Sequence, residues 1–177
     1  MRRLFLISGL IAAFGLAVLA ASAAAPANFA GTWNLDKTKS QGLDTRMQSV
    51  DSVTWVIAQD DKTISIESKV VGGQPPAGGG GGRGPAGPRS YNLDGKEVTA
   101  EAGGQMGGNN TTKATWSSDG ATLELSSVRT GSFNGNDFKA TSSDKLSLSG
   151  EGKVLTVSRH SESPRGTQDS TLVFNKQ

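Results

Sequence analysis

Four tight turns, at Asp60-Asp61, Asp94-Gly95, Asp119-Gly120 and Glu151-Gly152, alternate along the chain with five longer polar stretches, at residues 37–52, 72–89, 103–110, 130–137 and 161–168. In an antiparallel meander successive connections lie at opposite ends of the sheet, so the short turns gather at one end and the long stretches at the other. The pattern predicts a cup that is closed at one end and elaborated at its mouth.

The strands can be placed by asking which residues a two-residue turn sets opposite one another. A turn at Asp60-Asp61 sets Ile57 opposite Ile64 and Trp55 opposite Ile66, while Thr54, Ser65 and Glu67 point to the other face. At Asp119-Gly120 the same arithmetic pairs Trp116 with Leu123 and Ala114 with Leu125. At Glu151-Gly152 it pairs Leu148 with Leu155 and Leu146 with Val157, and at Asp94-Gly95 it pairs Tyr91 with Val98. A slip of one residue would send these partners to opposite faces, so their agreement supports the assignment. With a first strand near Thr32–Asp36 and a last one near Ser170–Lys176, the chain has about ten strands. An even number lets the first and last strands pair antiparallel, closing an up-and-down barrel and removing its edges. A two-sheet β-sandwich and an open sheet are the alternatives.

Arg2 and Arg3 precede an apolar run from Leu4 to Leu19, and Ala21-Ser22-Ala23 fits a small-residue cleavage site. Residues 1–23 therefore read as a secretory signal peptide, which places the mature chain in the periplasm or outside the cell. Residues 24–177 read as one domain without an integral membrane segment. The chain has 18 Lys and Arg against 16 Asp and Glu; losing Arg2 and Arg3 leaves 16 of each. A neutral chain with no basic run disfavours nucleic acid as a partner. It has no cysteine, which excludes disulfides and thiolate metal sites, so stability has to come from packing.

The segment Phe29-Ala30-Gly31-Thr32-Trp33-Asn34-Leu35 resembles the opening Gly-x-Trp strand of lipocalins and fatty-acid-binding proteins, including the Phe-x-Gly-Thr-Trp-x-Leu form common in the latter. It is also similar to the start of small secreted bacterial lipocalin-like proteins. The resemblance implies that Trp33 sits at the closed end under a cation from a late strand. Lys176 is placed for that role, with Arg159 as an alternative nearer the mouth. A helical lid is implied in residues 37–52, where Leu43 to Val50 has room for one or two turns. The final-strand Arg-x-Tyr that holds a carboxylate in many fatty-acid-binding proteins is replaced here by Leu172-Val173-Phe174, so a fatty-acid ligand does not carry over.

Toward the mouth the inward positions turn polar. Leu123 and Leu125 are followed by Ser127 and Arg129, Leu155 and Val157 by Arg159, and Asp144 precedes Leu146. The register of the last hairpin sets Asp144 opposite Arg159, with Arg129 as a surplus charge. These charges either form an inward pair that orients a ligand or are solvated where the strands fray into the rim. Candidate ligand contacts are therefore Trp55, Ile57, Trp116, Leu125, Arg129, Asp144 and Arg159.

Residues 72–89 hold nine Gly and four Pro and are expected to be mobile, as a lid or a tolerated insertion. They do not form a P-loop, since no Gly-Lys-Ser/Thr follows. The single histidine, His160, has the outward parity and adjoins serines that strand geometry turns away from it, so no catalytic group is expected. No metal site or cofactor is expected either: one His without Cys is too few ligands for zinc, and the Asp turns lack EF-hand spacing. The expected function is non-catalytic binding of a small hydrophobic or amphipathic molecule. The alternative is an extracytoplasmic interaction or structural module with a filled barrel; the oligomeric state is left open.

Overall fold

The structure, a computed structural model, describes residues 25–73, 88–101, 108–133 and 135–177. The proposed signal peptide and most of the Gly/Pro-rich stretch lie outside the described residues. Ten strands follow in chain order: β1 Gly31–Leu35, β2 Ser52–Gln59, β3 Thr63–Val71, β4 Arg89–Asn92, β5 Val98–Glu101, β6 Asn109–Trp116, β7 Thr122–Phe133, β8 Asn136–Leu148, β9 Val154–Ser163 and β10 Gly166–Lys176. Among the described residues one helix, α1 Thr45–Ser49, lies between β1 and β2, inside the span expected for a lid.

All ten strands belong to one antiparallel sheet in the order β4-β3-β2-β1-β10-β9-β8-β7-β6-β5, which rules out the sandwich. The first and last strands pair as expected, with Trp33 opposite Lys176. The barrel is nevertheless only nearly closed. β4 and β5 do not pair with each other, so the Asp94-Gly95 hairpin does not form and two edges remain. Tyr91 pairs with Ile64 on β3 and is buried, whereas Val98 pairs with Thr112 on β6 and is exposed. Each of these short strands finds its ladder with a long neighbour rather than with its sequence partner.

The other hairpins test the register arithmetic. Trp116–Leu123, Ala114–Leu125, Leu148–Leu155 and Leu146–Val157 pair as expected. At the first turn the register is shifted by two residues, setting Ile57 opposite Ile66 and Gln59 opposite Ile64. The cause is local: Asp60 opens the turn instead of sitting at its centre, its N–H bonding the Thr63 carbonyl at 3.0 Å and its carboxylate accepting from the backbone N–H of Lys62 and Thr63 at 2.8 and 2.7 Å, so the central pair is Asp61-Lys62. A two-residue shift preserves side-chain parity, so the apolar face survives. Residues 130–137 and 161–168 are not loops. β7 and β8 run on to a tight turn around Gly135, and β9 and β10 meet at a turn of Pro164 and Arg165.

At the closed end, residues 25–30 cross the barrel floor. Ala27 N–H bonds the Gly120 carbonyl at 2.9 Å, and the Gln59 amide both accepts from Phe29 N–H and donates to the Ala27 carbonyl. Phe29 is fully buried and stacks on Trp116, centroids 6.0 Å apart. The Trp33 indole donates to the Phe29 carbonyl at 2.9 Å, and the Lys176 ammonium lies 5.1 Å from its ring centroid. Such a contact contributes about 0.5–2 kcal/mol. Gly31, at φ 140°, makes room for it, because a Cβ there would stand 3.0 Å from Lys176 Cε.

Candidate functional site

The ladder from β7 to β10 stacks the inward side chains in rows. Leu123, Leu146, Val157 and Leu172 form one row of consecutive cross-strand partners, all buried. The next row toward the mouth is Leu125, Asp144, Arg159 and Ser170, and the row above it is Ser127, Ser142, Ser161 and Gln168. The interior thus passes from apolar to polar within one row, at the level of the Asp144–Arg159 pair.

That pair is inward and bidentate, with Arg159 Nε on Asp144 Oδ1 and Nη2 on Oδ2, both at 2.7 Å. Asp144 is only 3% exposed, so the alternative of charges solvated at a frayed rim does not hold for it. The Arg159 guanidinium also lies 5.8 Å from the Trp55 centroid, and Trp55 packs on Phe174 at 4.6 Å. Burial is the largest influence on Arg159 and works against its charge, but the hydrogen bond to Asp144 and the charge attraction of Asp144 together outweigh it and raise the pKa. Nearby Tyr91 has its pKa raised, chiefly by burial.

Above this pair lies a pocket of 270 Å³. Its lid is Leu43, Asp44 and Met47; its walls include Ser142, Arg159, Ser161 and Arg89. The lid is held in place by its own bonds. Asp44 caps α1 by accepting from Met47 N–H at 2.6 Å, and Lys37 donates to the carbonyls of Gln48 and Val50 at its other end. Gln41 bridges to Thr171, and the Gln168 amide donates to the Gly42 carbonyl at 3.2 Å. At Gly42, φ 66°, a Cβ would lie 2.3 Å from the Asp169 carbonyl oxygen, so only glycine lets the lid approach β10 this closely.

The sequence-predicted contacts divide by level. Trp55, Asp144 and Arg159 come together beneath the pocket. Leu125 is buried beside Asp144, Ile57 is buried toward the floor, and Trp116 stacks on Phe29 at the floor. Arg129 stands on β7 one inward position beyond Ser127, opposite Ala140 and Asn110. Its Nε is buried and has no hydrogen-bond partner among the described residues. Sequence reasoning missed Ser142 and Ser161, although they share the inward parity of Asp144 and Arg159. It also missed Arg89, whose position at the end of a Gly/Pro-rich stretch gave no parity to follow.

A larger hollow of 510 Å³ lies mainly against the outward side chains of β7 to β10, including Glu124, Ser143, Lys145, His160 and Asp169. Its polar groups are already engaged with one another. Ser143 donates to Glu124 at 2.8 Å, Lys145 lies 3.9 Å from Glu124, and His160 Nδ1 is 2.6 Å from Asp169. The mouth pocket, with an uncommitted guanidinium on the wall beyond it, is the stronger candidate site. Among the described residues, no group of three His, Cys, Asp or Glu is placed to hold a metal, and no helix is long and apolar enough to cross a membrane.

No family model matches the chain, and no curated protein sequence matches it. Among solved structures it is similar to zebrafish ileal bile acid-binding protein, solved in complex with cholic acid, at a TM-score of 0.47 and 15% identity over 84% of this chain and 98% of that one. The ten-stranded antiparallel meander, nearly closed through β1 and β10, has the architecture of a lipocalin-like barrel.

Proposed function

We infer that the protein is an exported, non-catalytic barrel that binds a small amphipathic molecule at its mouth. The carrying observation is the 270 Å³ pocket that joins two apolar lid side chains, Leu43 and Met47, to a wall bearing Arg159. That volume is near the lower end for ligand sites and suits a compact molecule. A non-catalytic role is supported by His160, which is half exposed on the outer face and bound between two carboxylates. Export is supported by the basic, apolar and small-residue succession of residues 1–23.

A second reading, a filled barrel that serves as an interaction module, is favoured by the single continuous cluster of buried side chains running from Phe29 through Trp55 to Phe174. Native mass spectrometry of the protein purified from its host separates the two. The binding reading expects a mass corresponding to residues 24–177 plus a stoichiometric small molecule released by mild denaturation and lost in Ser161→Trp, which fills the pocket. A protein of that mass that is empty, and that binds no compact amphiphile when offered a panel, would favour the module.

A further inference from the structure

We propose that the occupant of the mouth is a compact organic anion rather than a long-chain lipid, and that Arg129 supplies its oxyanion contact. This rests on the mouth being a binding site. Arg129 follows Leu123, Leu125 and Ser127 on the inward parity of β7, and its cross-strand partners, Ala140 and Asn110, carry no charge. Its buried Nε–H has no acceptor among the described residues. A guanidinium N–H removed from water without a partner is costly, and an oxyanion is the partner whose geometry matches it.

The charge balance points the same way. Arg159 is already neutralised by Asp144 through two bonds. The other carboxylate at the pocket, Asp44, accepts from Met47 N–H through Oδ1 and keeps its negative charge. Arg89 and Arg129 form no ion pair among the described residues; with Asp44 offsetting one of them, the pocket and the Arg129 wall beyond it carry one surplus positive charge.

The walls argue against a long apolar tail. Ser127 and Ser142 bond each other at 2.9 Å, and Ser161 and Ser170 continue the hydroxyl surface around the pocket. Covering these groups with alkyl chain would strip their water without replacing it. The space below Arg159 is already taken by Trp55, Phe174 and the row of Leu123, Leu146, Val157 and Leu172, all buried.

The test follows the Arg Nε–Hε resonances of the mature protein by NMR during titration with inorganic phosphate, benzoate and benzamide. Benzoate and benzamide match in size and differ in charge, whereas phosphate separates phosphoryl from carboxylate recognition. The expected result is a saturable shift of the Arg129 resonance with benzoate or phosphate, and binding of benzamide weaker by about tenfold or more. Arg129→Gln should abolish the preference, and Arg129→Lys, retaining the charge, should restore part of it. Thermal unfolding of both variants confirms that they fold. Equal binding of benzoate and benzamide would overturn the anion inference and leave the mouth a binding site. Failure of all three probes to bind would overturn both. Benzoate binding that is unchanged in Arg129→Gln would remove Arg129 from the site.

Discussion

The closed half and the mouth half are built from the same four long strands, yet different forces hold them. Below the Asp144–Arg159 row, each strand buries every second residue in one apolar cluster, and the opposite face is solvated. Above it, both faces are mostly polar, and Lys139, Thr141 and Glu162 face out while Ser142 and Ser161 face in. There the wall is carried by the backbone ladder and by hydroxyl pairs such as Ser127–Ser142. Burial supplies stability below, and the extended ladder frees the inner surface above to carry polar recognition groups. Substitutions should therefore separate the two halves by what they damage.

The largest effect is expected at the floor. Phe174 is fully buried against Trp55, and Phe174→Ala should cost about 3–5 kcal/mol, seen as a lower urea midpoint at unchanged slope. A loss below about 1 kcal/mol would mean that the closed half is not a packed core, and the contrast between halves would fail.

Asp144 tests the boundary. Asp144→Asn leaves the Arg159 charge buried without its counter-ion, and should cost roughly 3 kcal/mol, toward the lower end for such pairs because the Arg159 side chain keeps 21% exposure. Asp144→Leu combined with Arg159→Met should recover most of that stability, since a well-packed apolar pair can match a buried ionic one. A single substitution that costs no more than a surface pair, about 0–1 kcal/mol, would assign this row to the solvated mouth.

The boundary was also the part of the site most legible in the sequence. Glu151-Gly152 makes a short turn, so counting outward from it carries Asp144 onto Arg159 without error. The same counting fails by two residues at Asp60, because its carboxylate bonds the N–H groups of Lys62 and Thr63 and makes Asp60 the first residue of the turn, which moves the centre by one residue to Asp61-Lys62. It fails altogether at Asp94-Gly95, where β4 and β5 pair with β3 and β6; a turn motif does not reveal that its flanking strands have better partners elsewhere. Residues 130–137 and 161–168 read as loops because hydrophobic alternation is the signal for a strand, and a strand with water-facing or hydroxyl-lined surfaces on both sides carries none. The polar pocket walls Ser142 and Ser161 were hidden by the same property. Met47 and Leu43 fall within the span implied for the lid, but their side-chain directions depend on how the Gln41 bridge and Gly42 lay that segment against β10.

The smallest expected effect concerns the outer face of the mouth half. His160 on β9 lies 2.6 Å from Asp169 on β10 and 3.4 Å from Glu162, with Ser143 as its cross-strand neighbour on β8. The hydrogen bond to Asp169, followed by that to Glu162, raises the histidine pKa above its ordinary value of 6.5. Because the folded-state value is the higher one, the stabilisation is fully present below the unfolded pKa and is lost as pH rises through the folded pKa. Wild type should therefore be slightly more stable than His160→Gln at pH 6, with the difference fading by pH 9 and shrinking in high salt, where exposed charges are screened. Denaturant midpoints at the two pH values read this directly. A difference that grows with pH would contradict the charged contact. A pH-dependent difference as large as the loss from Asp144→Asn would mean that side-chain pairing, rather than the backbone ladder, holds the mouth wall together.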